Sequence, residues 1–490
     1  MNCCSGATGA ANGPAFLVPF LLAVFMLAGG TSLCHAQDHG KPNIILIFAD
    51  DLGWADPGYQ GLKPAGFHET PNIDRLAAEG MVFNRFYPSA ANCAPTRACL
   101  LTGMYTPRHH VYLPQGLARG DIIRMRFKVP THKQDESYNT FQVNINHVAP
   151  EWVSLAEMLK KGGYITARIG KWHIGDDNQG FDLVSADGTP GHITNTGGNE
   201  RRYYSDNEVA ARLTDLSVEF IRENRDRPFF LYLAHWEPHG PLAAPEERVE
   251  YYRKKAERTG NTECNPVYAA SVEQLDISTG RILSLLEELN LEENTMVIFT
   301  SDNGGVYNIP SNFPLRSEKG TFYEGGIRTP CVIRWPRMVA AGTSTDFPAN
   351  GVDLMPTFAE MADAPLPRSQ PVDGISLLPV LKGEQTGPDR SMFFHFPLYL
   401  DSRAVPSTVV IKGDWKLIHY YEYDRYQLFN LGEDISEERD LAGQHPGIEQ
   451  QLVDEIKTWT KEVNAPIPDI PNELFQSGGA WPTVLEKQIP

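Results

Sequence analysis

Cys93 stands two residues before Pro95 and four before Arg97, in the run Asn92-Cys93-Ala94-Pro95-Thr96-Arg97-Ala98-Cys99-Leu100-Leu101-Thr102-Gly103. Proline suits the first turn of a helix, where its fixed φ is already helical and its missing N–H is not needed. Cys93 would then lie at a helix N-terminus, where free backbone N–H groups and the helix dipole favour an anionic centre. A buried, inert thiol is the common fate of a free cysteine, so other clusters have to decide. Asp50-Asp51 and Asp302-Asn303 together offer three carboxylates and an amide oxygen. That is a hard, all-oxygen donor set suited to Ca²⁺ or Mg²⁺. Taken singly, each pair would also pass for a solvated turn.

What links these clusters is the elements in front of them. The apolar run 43–48 ends in Ala49-Asp50-Asp51, 295–300 in Ser301-Asp302-Asn303, 228–234 in His235-Trp236-Glu237-Pro238-His239, and 164–169 in Gly170-Lys171-Trp172-His173. Short continuous apolar runs rich in β-branched residues are the pattern of strands buried on both faces. Amphipathic helical spacing covers 208–224 and 267–289, and Ser154-Leu155-Ala156-Glu157 is a capping box opening a helix that Gly162-Gly163 stops. Strands alternating with helices predict an α/β fold with a mainly parallel central sheet. Ligands bind such sheets outside the carboxyl ends of the strands. The four polar clusters are therefore expected to meet in one crevice.

With 490 residues the chain exceeds what one core usually supports. A polar stretch from Gly383 to Arg390 marks the expected boundary. The expected organisation is a leader over 1–36, a catalytic α/β domain over 37–385, and a smaller domain over 386–490. In that last part, 408–411, 415–418 and 426–429 read as short antiparallel strands and 447–463 as a helix. The 117–150 segment fits neither pattern and reads as an insertion near the pocket. A net charge of −18 excludes a general nucleic-acid binder, which needs a basic footprint. Anionic substrates remain open, because local arginine and lysine can reverse the field in a pocket.

Residues 15–28 form an apolar run too short for a membrane span, followed by small residues up to Ala36. This predicts a cleaved signal peptide, a secreted or periplasmic protein, and no stable span after cleavage. A lipoprotein signal fits less well, since Leu33 stands immediately before Cys34. Export leaves Cys93, Cys99, Cys264 and Cys331, which is no disulfide scaffold.

The Cys93 run resembles the signature of the type I sulfatases of the alkaline phosphatase superfamily, C-x-P-[ST]-R followed by x-x-L-L-T-G. A second stretch, Gly163-Tyr164-Ile165-Thr166-Ala167-Arg168-Ile169-Gly170-Lys171-Trp172-His173, is similar to that family's G-Y-x-T-x-x-I-G-K-W-H. Pro238-His239-Gly240-Pro241 and the segment from Ser317 through Lys319 to Pro330 extend the likeness, which runs from Pro42 to roughly Pro336. Gly413-Asp414-Trp415-Lys416-Leu417 and Leu428-Phe429-Asn430-Leu431 resemble the family's second domain. Asn92, and Asp56-Pro57 after the paired acids, depart from the family pattern without removing a chemical group.

The resemblance implies that a formylglycine-generating enzyme oxidises Cys93 to formylglycine, whose gem-diol attacks sulfur. It implies one Ca²⁺ held by Asp50, Asp51, Asp302, Asn303 and the converted residue 93. It assigns Arg97 to anchoring the formylglycine, Lys171 to contacts with formylglycine and sulfate, and His173 to regenerating the aldehyde. His239 and Lys319 would contact sulfate and the leaving oxygen, with His235 the competing histidine. The expected activity is hydrolysis of sulfate esters, of sulfated glycans or aryl sulfates. The alternatives are a phosphodiesterase or phosphonate monoester hydrolase of the same superfamily, and a non-catalytic binder of sulfated glycans.

Overall fold

The apolar runs ahead of the polar clusters are the middle of an eight-stranded sheet. In the computed structural model its order is Leu183–Ser185, Ile165–Gly170, Phe229–Ala234, Asn43–Ala49, Thr295–Ser301, Cys331–Arg334, Met81–Phe83, Thr343–Thr345. The structure describes residues 40–62, 67–114, 118–129, 146–175, 177–191, 201–261, 263–306, 312–384 and 390–476. The apolar run 15–28 and the cleavage point near Ala36 lie outside these, as does the middle of the 117–150 segment.

The first five strands in this order are mutually parallel. Cys331–Arg334 runs against both its neighbours. Successive side chains of a strand point to opposite faces, and Asn43–Ala49 is buried along its whole length. Ile44, Leu46 and Phe48 join a core with Ala98, Leu101, Leu155, Leu159 and Phe358. Those residues come from the helices Cys93–Thr102, Leu155–Lys161 and Leu354–Met361. Ile45 and Ile47 pack on the other face against Leu213, Phe220, Leu275 and Ile282, from the helices Val209–Asn224 and Pro266–Glu288. The sheet is therefore covered on both faces, which is why its strands read as continuous apolar runs. The capping box forms as predicted, with Ser154 and Glu157 each bonding the other's backbone N–H.

Register brings the strand ends level. Gly170 lies opposite Ala234, Ala234 opposite Phe48, and Phe48 opposite Thr300. The ladder runs on for one more step, with Lys171 N–H donating to Ala234, His235 N–H to Phe48 and Asp302 N–H to Ala49. Gly170 is required here: a Cβ on it would lie 1.8 Å from the Ala234 carbonyl oxygen, and its φ is +106°.

A second, antiparallel sheet follows the order Ser391–Phe396, Ser407–Lys412, Trp415–Tyr420, Arg425–Asn430. One face carries Val410, Leu417 and Leu428 against Leu452, Ile456 and Trp459 of the helix Pro446–Glu462. The other carries Val409, Ile411 and Ile418 against Tyr87, Tyr112, Phe322 and Tyr323. Tyr323 stands four residues after Lys319. The second sheet thus supports the loop that bears a candidate site lysine. Among the described residues no helix is long and apolar enough to cross a membrane. Cys93, Cys99, Cys264 and Cys331 are buried free thiols.

Candidate active site

Cys93 is the first residue of the helix Cys93–Thr102, behind Asn92 in extended conformation, and Pro95 sits in the first turn. Its Sγ lies 3.0 Å from Lys319 Nζ, 3.4 Å from Asp50 Oδ1 and 3.8 Å from Asp51 Oδ1. Burial, reinforced by Asp302, pushes the thiol well above its ordinary pKa despite Lys171 and Lys319. A thiol held protonated is a poor nucleophile, because the thiolate is the reactive form. The helix N-terminus does not by itself make Cys93 reactive.

The acids arrive from two strand ends. Asp51 has a φ of 65°, a left-handed turn that aspartate tolerates better than most residues. Its N–H donates to Asp302 Oδ1 at 3.2 Å, and its Oδ1 accepts from Asn303 Nδ2 at 2.7 Å. Two lysines answer the paired acids: Lys171 Nζ lies 2.6 Å from Asp50 Oδ2, and Lys319 Nζ lies 2.6 Å from Asp51 Oδ1. Burial would raise Asp51, but Lys319, His239 and Lys171 hold it well below the carboxylate range. Asp50 goes the other way, pushed up to about 8 because burial outweighs Lys171.

Arg97 is engaged with Asp302. Its guanidinium donates to Asp302 Oδ2 at 2.7 and 3.2 Å, to Tyr232 Oη and to the Lys171 carbonyl. It also lies over the Phe48 ring. The arginine is wholly buried and supports a carboxylate.

His239 Nε2 lies 3.5 Å from Asp51 Oδ2, its Nδ1 bonds the Gly240 carbonyl, and its ring stacks on Tyr204 at 4.3 Å. Burial pushes it down to about 3, with Asp51 opposing. His173, at φ 69°, is driven well below its ordinary value by burial, then by Lys171 and Arg97. Both imidazoles are neutral near pH 7. His235 turns away, bonding Ser278 Oγ at 3.0 Å under the helix Pro266–Glu288. A cavity of about 430 Å³ opens over Cys93, lined by Asp51, His173, Tyr204, His239 and Lys319 among others. His235 does not reach it.

The residues fit a divalent cation. Ligand atoms of Asp50, Asp51, Cys93 and His239 all lie within 4.8 Å of one another. Asn303 Oδ1 is buried with no hydrogen-bond partner among the described residues. An unpaired buried acceptor costs about 1–3 kcal/mol, a cost that a hard cation would remove. The resemblance implies that His239 contacts the leaving oxygen, and the structure places it beside Asp51 as well. Tyr204 was not anticipated at all. It follows no strand signal, and its stacking on His239 is a tertiary contact.

The mainly parallel sheet gathers acids, lysines and a helix-terminal residue at its strand ends, a setting suited to binding an anionic ester. Residues 42–364 match the family model described as Sulfatase, and residues 317–464 match that of the N-sulphoglucosamine sulphohydrolase C-terminal region. The chain is 32% identical to a protein named sulfatase from Formosa agariphila, over 87% of this chain and 90% of that one. It is also 32% identical to N-acetylgalactosamine-6-sulfatase of Rattus norvegicus, over 96% of this chain and 84% of the relative. The crystal structure of Ps i-CgsB superposes with a TM-score of 0.69 at 27% identity, covering 91% of this chain and 96% of that one. The chain belongs to the sulfatase family of the alkaline phosphatase superfamily, and it is an enzyme that hydrolyses sulfate esters.

Proposed function

We propose that this enzyme is secreted or periplasmic after loss of residues 1–36, and that it cleaves sulfate esters of glycans or aryl alcohols with residue 93 as formylglycine and one Ca²⁺ bound. The observation that carries this is the setting of Cys93. Its thiol is held protonated, yet it is surrounded by two acids and a lysine that suit an oxygen nucleophile and a cation. Asp50, Asp51, Asp302, Asn303 and residue 93 would hold the ion. The formylglycine hydrate would supply the attacking oxygen, and Ca²⁺ would supply Lewis-acid neutralisation of sulfate oxygens. The 37–385 region carries this machinery, and the 386–490 region closes one side of the cavity.

The chain's own groups then divide the work. Lys171 and Lys319 stay charged because Asp50 and Asp51 offset their burial, so both can bind sulfate oxygens. Lys319 also stands next to residue 93, where it can offer charge to the departing oxygen. His239 Nε2 faces Asp51, since its Nδ1 is engaged with the Gly240 carbonyl. An incoming sulfate adds negative charge beside Nε2 and favours its protonated, donating form. A proton delivered as the S–O bond breaks assists the leaving alcohol. His173, neutral and buried in the cavity wall, is suited to accept a proton in the step that restores the resting enzyme.

Peptide mass spectrometry tests the maturation. Protein made together with a formylglycine-generating enzyme should carry the aldehyde at residue 93, and Cys93→Ala should be inactive. Chelation should remove aryl sulfatase activity and added Ca²⁺ should restore it. Undiminished turnover by Cys93→Ala, or faster cleavage of a phosphodiester than of an aryl sulfate, would sink this reading.

A further inference from the structure

Two arginines at the cavity wall have no part in the machinery above. Arg119 and Arg403 line the same cavity as Cys93, Lys319 and His239. They come from opposite sides of the expected boundary near residue 385, and the main chain locks them together. Arg119 N–H donates to the Tyr399 carbonyl, and Asp401 N–H donates to the Arg119 carbonyl, each at 2.9 Å. Leu400 N–H donates to the Ala404 carbonyl and Arg403 N–H to the Leu400 carbonyl, again at 2.9 Å. Both guanidinium groups thus ride on one small paired element.

That element sits directly on the Lys319 loop. A Cβ on Gly320 would lie 2.8 Å from Leu400 Cδ2 and 3.4 Å from Arg403 Cδ, and the glycine has a φ of +89°. The positive φ favours glycine, and any Cβ here would have to displace the Leu400 side chain. Among the described residues Arg119 has no ion pair and no side-chain hydrogen bond, and it is half-buried. Arg403 pairs with Asp401 at 2.9 Å, but Asp401 is largely exposed, and such a pair contributes only about 0–1 kcal/mol. Asp51, the one acid among the described lining residues, is already engaged by Lys319. In a protein of net charge −18, this wall is therefore locally cationic. Leu113 and Leu400 add apolar surface to the same wall.

We infer that Arg119 and Arg403 select substrates that carry a second anionic group, a sulfate or a carboxylate, beside the sulfate ester that is cleaved. The inference rests on the sulfatase reading above and adds to it a polyanionic glycan as the substrate class. Guanidinium suits this task, since its planar fork pairs with two oxygens of a carboxylate or sulfate at once.

The test compares three sugar sulfates that differ only in the second group: a hydroxyl, a sulfate or a uronic carboxylate. An aryl sulfate serves as the reference for turnover. The wild-type enzyme should show a higher kcat/KM for one or both dianionic substrates, expressed in KM and shrinking as salt rises. Arg119→Gln and Arg403→Gln should each lower the ratio of dianionic to monoanionic kcat/KM about tenfold, the equivalent of one charged hydrogen bond. Arg119→Lys and Arg403→Lys should keep part of it. Whether the sulfate or the carboxylate gives the gain identifies the group recognised. A wild-type ratio at or below one, or a ratio that neither glutamine variant moves, overturns the inference while aryl sulfate turnover leaves the sulfatase reading standing. Failure to turn over any sulfate ester would overturn that reading instead.

Discussion

Replacing Arg97 by methionine tests what the buried guanidinium does. In the structure it is the cation nearest Asp302, at 2.7 Å, and both groups are wholly buried. Burial would raise Asp302, and Arg97, then Lys171, bring it below its ordinary value of 3.8. Methionine fills much of the same volume beside Phe48 and removes the charge. Asp302 must then stay ionised without its main partner or take up a proton. Protonation sets a ceiling on the cost of about 1.4 kcal/mol for each pH unit above 3.8. That is about 4 kcal/mol at pH 7 and under about 2 kcal/mol at pH 5, and the upper figure matches the usual cost of breaking a buried pair. Lys171 lowers Asp302 as well, so the measured value should fall somewhat below the ceiling. Urea unfolding of the chelated wild type and variant at pH 5, 6 and 7 should show a destabilisation that grows with pH. Adding Ca²⁺ at pH 7 should narrow the gap, because the ion replaces the missing charge. A destabilisation that is flat from pH 5 to 7 would show that Asp302 is not the group Arg97 compensates.

The two imidazoles in the cavity should separate kinetically. His239→Ala should slow alkyl or sugar sulfates far more than activated aryl sulfates, because only the basic leaving groups need a proton. His173→Ala should instead give a burst of released alcohol followed by slow turnover, whatever the alcohol; rapid mixing with a chromogenic aryl sulfate reads this, and a variant without a burst that shares the leaving-group dependence of His239→Ala would refute the division. Far from the cavity, His395 is buried between Thr408 Oγ1 and the Pro466 carbonyl, and burial pushes it down to about 4. It is neutral when folded and takes a proton when unfolded, so stability should be full above pH 6.5 and fall by up to about 3 kcal/mol as pH drops from 6.5 to 4. His395→Asn should flatten that part of the stability curve in thermal melts, and an equally steep curve in the variant would exclude His395 as its source.

The central strands were legible because a strand buried on both faces must be apolar throughout, and the residue that breaks the run is the one that reaches the crevice. Asp50, Lys171 and Asp302 could be placed on that ground alone. The outer strands Met81–Phe83 and Thr343–Thr345 were not legible, since three residues have no period to read. Helix bounds came within one residue, as Pro266 and Pro446 show by opening helices expected to begin at 267 and 447. The partners of Arg97 were not legible for a different reason. A motif records that an arginine is needed four residues after the cysteine, and it does not record which partner needs it.

That partner lies just past the end of a strand, 205 residues away, and other groups that complete the site are likewise distant in sequence. Lys416 is wholly buried and links Glu324 to Glu437, at 3.0 and 2.8 Å. Glu324 lies five residues after Lys319, so a lysine of the second sheet braces the loop that carries a lysine of the active site. Charge on such a residue looks like solvated surface in the sequence, because burial is decided by what packs over it. Arg119 and Arg403 belong to this same class. Each follows unremarkable residues, and only the pairing of residues 119 and 400 brings them to one wall. Asp50, Lys171 and Asp302 are marked by the strand ends they follow. Residues that choose the substrate are marked only by the tertiary contacts that gather them, which is why the reaction could be argued from the sequence and the second anionic group could not.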